Sequence, residues 1–434
     1  MPMNERYTTK EIYGVVDIGT QNVRVLVGQI DADHRVNVLG VGKAPSKGID
    51  ESGVVNIEQV VESIRKAYKQ AEQQSGTALS RVWVSINHMH LHGEESEAII
   101  TFPDLEHEIS SADIERLRQQ AIQRPPLPDM ELIHVLPQYY SLDHRSFIRD
   151  PLGMTGIRLE GYFYLIYAPQ MYLMMLRRCF QRLGLEIEGF IARPVAAAEV
   201  FISKEHKASN SALIYLSTHT TSVVAYREGI LRLFKVLPLG GHHVTMDIRE
   251  MLRYILPAQA EELKIQQGVA FAQSVPEEEV LRLRISTHPE PLEISRRLLA
   301  QVIQARMEET MLFVAREIDQ VGLLEKLYGG IHLAGGGAQM QGMEALTEYV
   351  LRNRAQTVQV SSVLGRGIMN SVKSPAMAGA VATLYLAPIM NTLMPPPPTP
   401  SKDAERSTRQ RLGLFHKLRS FLEKGVKLPQ DLVD

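Results

Sequence analysis

Apolar and polar positions along the first part of the chain change rhythm twice. β-Branched runs at Ile12 to Ile18, Val23 to Ile30 and Val36 to Val41, with breaks at Gly19 and at Asp31 to His34, predict three strands joined by tight turns. From Ile57 to Gln74 the apolar positions Ile57, Val60, Val61, Ile64, Ala67, Tyr68 and Ala71 keep helical spacing, and Arg81 to Ile86 then reads as a strand. From His88 to about Leu159 the pattern turns polar and proline-punctuated, with one helix expected near Ala112 to Gln123 after a cap at Ser110 or Ser111. A strand at Gly161 to Ala168, a helix at Gln170 to Leu183 and the apolar segment Ile187 to Ala198 are expected to resume the first domain after this insertion.

A second three-strand meander begins at Ser211, with Arg227 to Gly229 as its middle turn, so the opening architecture occurs twice. Two stacked halves of this kind make a cleft, and clefts between domains are where ligands bind. Helices are expected at Val244 to Ile255, Ala258 to Gln266 and Glu293 to Val321. A strand at Ile331 to Ala334 then enters the glycine run Gly335, Gly336 and Gly337, followed by a helix at Gly342 to Arg352. The proline tract from Met394 to about Ser407 can neither pack nor continue a helix and reads as an extended linker.

Composition narrows the function classes. A chain of 434 residues with 44% hydrophobic residues can bury more than one core. Its 47 basic and 49 acidic residues give no global electrostatic reason to expect a nucleic acid partner. The single cysteine, Cys179, cannot form an internal disulfide, and the start MPMNERYTTKEIYG lacks a basic-then-apolar secretory pattern, so cytoplasmic residence is expected. No run of about eighteen uninterrupted apolar residues predicts a membrane span, which leaves peripheral membrane contact.

Local motifs carry the candidate chemistry. Asp17, Gly19 and Thr20 sit in a strand–turn–strand, where a glycine lets backbone N–H groups approach phosphate and a carboxylate can hold hydrated Mg2+. Alone, this DIGT turn equally suits an ordinary hairpin. AGGGAQMQG places glycines between a strand and a helix start, a pattern that serves either anion and adenosine contact or packing alone. His88, His90 and His92 alternate, yet no Cys or carboxylate pair supports them at ligand spacing, and a solvated strand edge is the better reading.

With these motifs and the repeated meander, the chain resembles the actin, Hsp70 and sugar kinase superfamily and, within it, the FtsA family of bacterial cell division proteins. The second step rests on GVGKAPSKGIDESGVVNIEQVVESIRKA, on IHVLPQYYSLDHRSFIRDPLGMTGIRLEG, and on PLGGHHVTMDIREML with AEELKIQQG; together these span about Ile12 to Leu386. The resemblance implies an α/β fold of duplicated actin-like, ribonuclease H-like domains around a nucleotide cleft, with an inserted small α+β subdomain. It implies residues 1–87 and 161–208 for the first domain, 88–160 for the insertion, and 209–240 with 322–374 for the second domain's core. Residues 241–321 fall to a helical subdomain, 375–393 to a helix returning to the first domain, 394–408 to the linker and 409–428 to an amphipathic membrane-targeting helix.

By the same resemblance ATP is the expected ligand and Mg2+ its metal, with Asp17 at the metal and Asp17, Gly19 and Thr20 as the first phosphate loop. Thr245, Asp247, Glu261, Glu262 and Lys264 fall where the family contacts or encloses adenosine, although each charged residue also suits a solvated helix face. Gly335, Gly336 and Gly337 match its adenosine loop. The second phosphate loop departs from the family, whose members read like DIGGGTTDIAV where this chain has YLSTHTTSVVA. Tyr215 replaces an aspartate, and Ser217, Thr218 and His219 replace glycines, so weak or absent hydrolysis is expected and no catalytic residue is assigned. Thr220 and Thr221 still offer hydroxyls to phosphate, and His219 a donor.

After the linker, Leu414, Phe415, Leu418, Phe421, Leu422 and Val426 recur at helical spacing beside Arg411, Lys417, Arg419 and Lys424. Such a helix suits an anionic lipid surface, each basic residue adding about 1 kcal/mol near the headgroups; docking on the body or on a partner is the other reading. The implied partners are the C-terminal tail of the tubulin relative FtsZ, further copies in a filament, other division proteins and lipid, at a midcell ring on the cytoplasmic face of the inner membrane. Arg249 and Arg253 either meet an acidic peptide or are plain surface charges. A phosphotransferase of the same fold and a pilus-assembly module are the competing functions.

Overall fold

The computed structural model describes residues 11–392, apart from 105, 124–126, 254, 285–289 and 369, with nothing said of the side chains at 391 and 392. The expected linker at 394–408 and helix at 409–428 lie outside the described residues. Strands β1 (Tyr13–Ile18), β2 (Asn22–Ile30) and β3 (Val36–Pro45) form an antiparallel meander with Val16 opposite Val25. Helix α1 (Ile57–Ser75) starts where the Asn56 side chain accepts from the Gln59 N–H and ends at left-handed Gly76. It lies flush on β3 because glycines face it: a Cβ on Gly42 would sit 1.8 Å from the Ala67 carbonyl oxygen. Strand β4 (Arg81–Ile86) returns parallel to β1.

The insertion carries its own antiparallel sheet of β5 (His92–Thr101), β6 (Met130–Leu142), β7 (Arg145–Ile148) and β8 (Arg158–Pro169), in the order β5-β8-β6-β7. Helix α2 (Ser111–Ala121) covers it, begun by a capping box between Ser110 and Asp113. Gly161 to Ala168, expected in the first domain, instead belong to β8, an interior strand of this inserted sheet. Both faces of β8 are buried, Phe163 and Leu165 in the insertion's core and Tyr164 and Ile166 in the first domain's. A strand covered on both faces reads as one apolar run, which does not say which sheet owns it.

Helix α3 (Gln170–Leu183) and strand β9 (Glu186–Ala192) complete the first layer. The apolar segment from Ile187 splits at Arg193, where helix α4 (Arg193–Phe201) starts with Pro194 in its first turn. Strands β10 (Ser211–Leu216), β11 (Thr221–Arg227) and β12 (Ile230–Leu237) repeat the meander. Helices α5 (Gly241–Leu252), α6 (Pro257–Gln267) and α7 (Arg296–Gln320) follow. The long helix starts later than expected because Leu292–Ser295 pairs with Val280–Leu283 as a hairpin and Ser295 becomes its cap. Strand β13 (Ile331–Ala334), helix α8 (Met343–Leu351) and strand β14 (Ala355–Thr357) close the second layer. Strand β15 (Leu364–Gly367) then pairs with β3, and the almost wholly buried helix α9 (Ala378–Leu386) packs on β1, β2, β4 and α4.

The sheets run β9-β4-β1-β2-β3-β15 and β12-β11-β10-β13-β14. Within each, a meander is followed by two parallel strands added on the side of its first strand, so the two halves share one topology. Both place the turn after their first strand on the same opening between them.

Two outcomes are expected of this packing. Gly42→Ala forces α1 off β3 and should lower stability in urea unfolding by about 1–3 kcal/mol. His332, buried on β13, has its pKa lowered from 6.5 to about 4 by burial, with the nearby His206 adding to the shift. The unfolded chain therefore binds the proton first, so this contribution to stability is intact above pH 6.5 and lost as the pH falls toward about 4. The loss is on the order of 3 kcal/mol, and thermal unfolding of His332→Phe should show a shallower acid dependence.

Candidate functional site

A cavity of about 770 Å³ opens between the two halves. The β1–β2 turn forms one wall: the Gly19 N–H donates to the Asn22 carbonyl at 3.2 Å, and a Cβ at Gly19 would stand 2.9 Å from that oxygen. The β10–β11 turn faces it, with the Ser217 N–H donating to the Thr220 carbonyl at 2.9 Å. No residue of this second turn takes a positive φ, so the missing glycines cost it no backbone strain. Its carbonyls are engaged by the start of α5, Ser217 by the Gly241 N–H at 3.0 Å and Thr218 by the His242 N–H at 2.7 Å.

The two turns are latched together. Thr20 Oγ1 lies 2.9 Å from His219 Nδ1. Asn87, at the end of β4, donates to Ser217 Oγ at 3.3 Å and Thr220 Oγ1 at 3.1 Å and accepts from Ser222 Oγ at 3.3 Å. Burial first, then the neighbouring His242, lowers the His219 pKa, which favours the neutral ring that this contact uses.

At the α5–α6 side, Lys264 Nζ donates to Glu261 Oε2 at 2.6 Å, to Thr245 Oγ1 at 2.8 Å and to the Gly241 carbonyl at 2.8 Å. Thr245 also donates to Glu261. Burial lowers the Lys264 pKa and Glu261 opposes that shift. Glu261 and Lys264 line the cavity, whereas Asp247 and Glu262 do not. Asp247 is held by Arg306 of α7 at 2.6 and 2.9 Å, and exposed Glu262 accepts from Gln266 one turn on. Helix phase thus turns both away from the adenosine position that the family resemblance implies.

Gly336 and Gly337 line the cavity; Gly335 does not, being set behind them with its N–H on the Pro375 carbonyl. The glycine run also does not open a helix directly, since a 3₁₀ turn, Gly336–Gln339, precedes α8. Thr220 and Thr221 both line the cavity. Arg249 and Arg253 are exposed at the end of α5, outside it. Of the alternating histidines only His92 lies in a strand, the edge strand β5, and it and His90 are exposed as expected; His88 departs, buried against the Tyr172 ring with Nε2 3.3 Å from the Ser52 carbonyl. Among the described residues no cluster suits a metal ion.

Asp17 departs most from its expected role. Its carboxylate is 1% exposed and does not line the cavity. Arg193 Nε lies 2.6 Å from Oδ1 and Arg24 Nη1 lies 3.2 Å from Oδ2, so two guanidinium groups occupy the oxygens assigned to Mg2+. Burial pushes the neighbouring Tyr215 phenol up, which keeps it uncharged at neutral pH. The donor set at this end of the cleft is a poor fit to a divalent metal. Arg24, Arg193 and Asn87 carry no sequence motif of their own; the available signal is Arg193, a lone arginine where the apolar run of β9 passes into α4.

Two halves of one topology around a cleft, with an extra α+β unit set into the first, define an actin-like protein. Residues 212–382 match the family model described as cell division protein FtsA, and residues 89–167 match the SHS2 domain inserted in that family. The FtsA of Pseudomonas aeruginosa is 33% identical over 86% of this chain and 88% of its own length, and that of Bacillus subtilis 33% over 80% and 78%. In fold, the chain is similar to a PilM–PilN type IV pilus biogenesis complex structure (TM-score 0.62, 14% identity, 88% of this chain and 99% of that one). It is also similar to MreB5 of Spiroplasma citri bound to ADP (TM-score 0.52, 12% identity, 87% and 98%). The chain belongs to the FtsA family of cell division proteins.

Asn87→Ala removes three hydrogen bonds that join the halves. Hydrogen exchange at the Ser217 to Thr221 amides should speed up, with a loss in local opening free energy of about 1–3 kcal/mol.

Proposed function

We propose that this chain is the actin-like scaffold of a division ring that ties FtsZ to the cytoplasmic face of the inner membrane. Membership of the FtsA family, with its inserted domain, is the observation that carries this reading. The segment after the proline tract supplies the lipid contact, Leu414, Phe415, Leu418, Phe421 and Leu422 entering the acyl boundary while Arg411, Lys417, Arg419 and Lys424 meet anionic headgroups. Arg249 and Arg253, exposed on the α5–α6 subdomain, offer charge to an acidic tail peptide of FtsZ. Copies associate into filaments along the membrane and recruit other division proteins at midcell.

The cleft takes ATP in this reading, with Gly19, Thr20, Thr220 and Thr221 toward the phosphates and Glu261, Lys264, Gly336 and Gly337 toward the nucleoside. Hydrolysis is weak or absent, because Tyr215 cannot ionise at neutral pH and Asp17 is committed to two arginines. The body therefore works as a nucleotide-bound assembly unit and not as a fast ATPase.

Liposome co-sedimentation of the full chain against a chain ending at Met394 tests the tether. The full chain should pellet with anionic vesicles and the shortened one should stay in the supernatant. Leu418→Glu with Phe421→Glu should reduce pelleting of the full chain at least tenfold, given about 0.8 kcal/mol per buried methylene. Equal pelleting of all three overturns the assignment.

A further inference from the structure

We infer that the phosphate end of the cleft binds a nucleotide's polyphosphate without a divalent cation, the guanidinium groups of Arg24 and Arg193 supplying the positive charge. This rests on reading the cleft as a nucleotide site. Arg24 and Arg193 both line the cavity, while the carboxylate between them does not. Two cations against the single anion Asp17 leave a surplus of one positive charge behind the Gly19 turn. Arg193 also donates to the Ile18 carbonyl, and its Nη1 stands 4.0 Å from where a Cβ on Gly19 would lie, so the guanidinium is fixed directly under the turn.

The other carboxylates around the cavity do not rebuild a metal site. Asp50 accepts from the Ser52 N–H at 2.8 Å and its hydroxyl at 2.6 Å, and Glu261 is taken by Lys264. Glu51 is exposed at the rim, where one carboxylate holds a hydrated Mg2+ weakly. A divalent ion entering deeper meets two guanidinium groups of like sign. A phosphate oxygen meets donors instead, and Thr221 Oγ1, wholly buried on the cavity wall, has no hydrogen-bond partner among the described residues. Arginine is suited to the task because it stays charged and presents a planar fork of donors to phosphate.

The geometry of Arg193 is set by α9. A Cβ on Gly379 would lie 2.0 Å from Arg193 Cγ and 2.9 Å from Tyr215 Oη, so only a glycine lets the arginine stem and the phenol meet across that helix.

Isothermal titration of the full chain with ATP and with ADP, in excess Mg2+ and in excess EDTA, tests the inference. Affinities in the two buffers should agree within about threefold. Arg24→Gln, at a partly exposed position, should weaken binding about tenfold in both buffers, and Arg24→Lys, which keeps the charge but not the planar fork, should recover only part of that loss. Binding in Mg2+ that falls tenfold or more in EDTA overturns the inference and leaves the nucleotide reading intact, as does an Arg24→Gln protein with unchanged affinity. No binding in either buffer overturns the nucleotide reading and the inference with it.

Discussion

The buried pairing of Asp17 with Arg193 is the constraint around which the cleft is arranged. It joins the end of β1 to the start of α4, and it sits where α9 and Tyr215 of the second half converge. Burying either charge alone is expensive, so each requires the other, and Arg24 adds a second cation from the adjacent strand. Burial works most strongly against the Arg193 charge, and the Asp17 carboxylate together with Tyr215 and Tyr172 more than restores it.

From that pairing the character of the site follows. The first turn closes around a glycine, the second closes without one and without a positive φ, and guanidinium and hydroxyl groups line the cavity beside them. The cross-cleft contacts of Thr20 with His219 and of Asn87 with the second turn make the two halves one unit in this state. A cleft latched by a few side-chain hydrogen bonds can open at modest cost.

The inserted sheet is tied to the second half as well as to the first. Tyr164 Oη accepts from the Phe234 N–H at 2.9 Å, Gln138 from the Leu231 N–H at 2.8 Å, and Arg232 pairs with Glu95 at 2.9 Å. These contacts cover the edge strand β12, which would otherwise be open to pairing with another chain. The exposed ends of α5 and α6 are left outside this seam, accessible to a partner.

The sequence by itself determined the elements whose signals are local: the two meanders, α3 to the residue, and a start of α2 at Ser110 or Ser111, which the structure resolves to Ser110. Strand alternation, helical spacing and capping chemistry are written within a few residues and need no partner to be legible. It also placed Tyr215 before the second turn, where the resemblance to the family implies an aspartate. Tertiary structure alone decided that β8 belongs to the insertion, because a strand buried on both faces carries no mark of its sheet. It decided that Asp247 and Glu262 turn away from the cleft while Lys264 turns in, and that Asp17 is spent on two arginines, one of them 176 positions away in sequence (193 less 17). Which carboxylate meets a ligand and which meets a guanidinium depends on long-range proximity, and no local pattern encodes that.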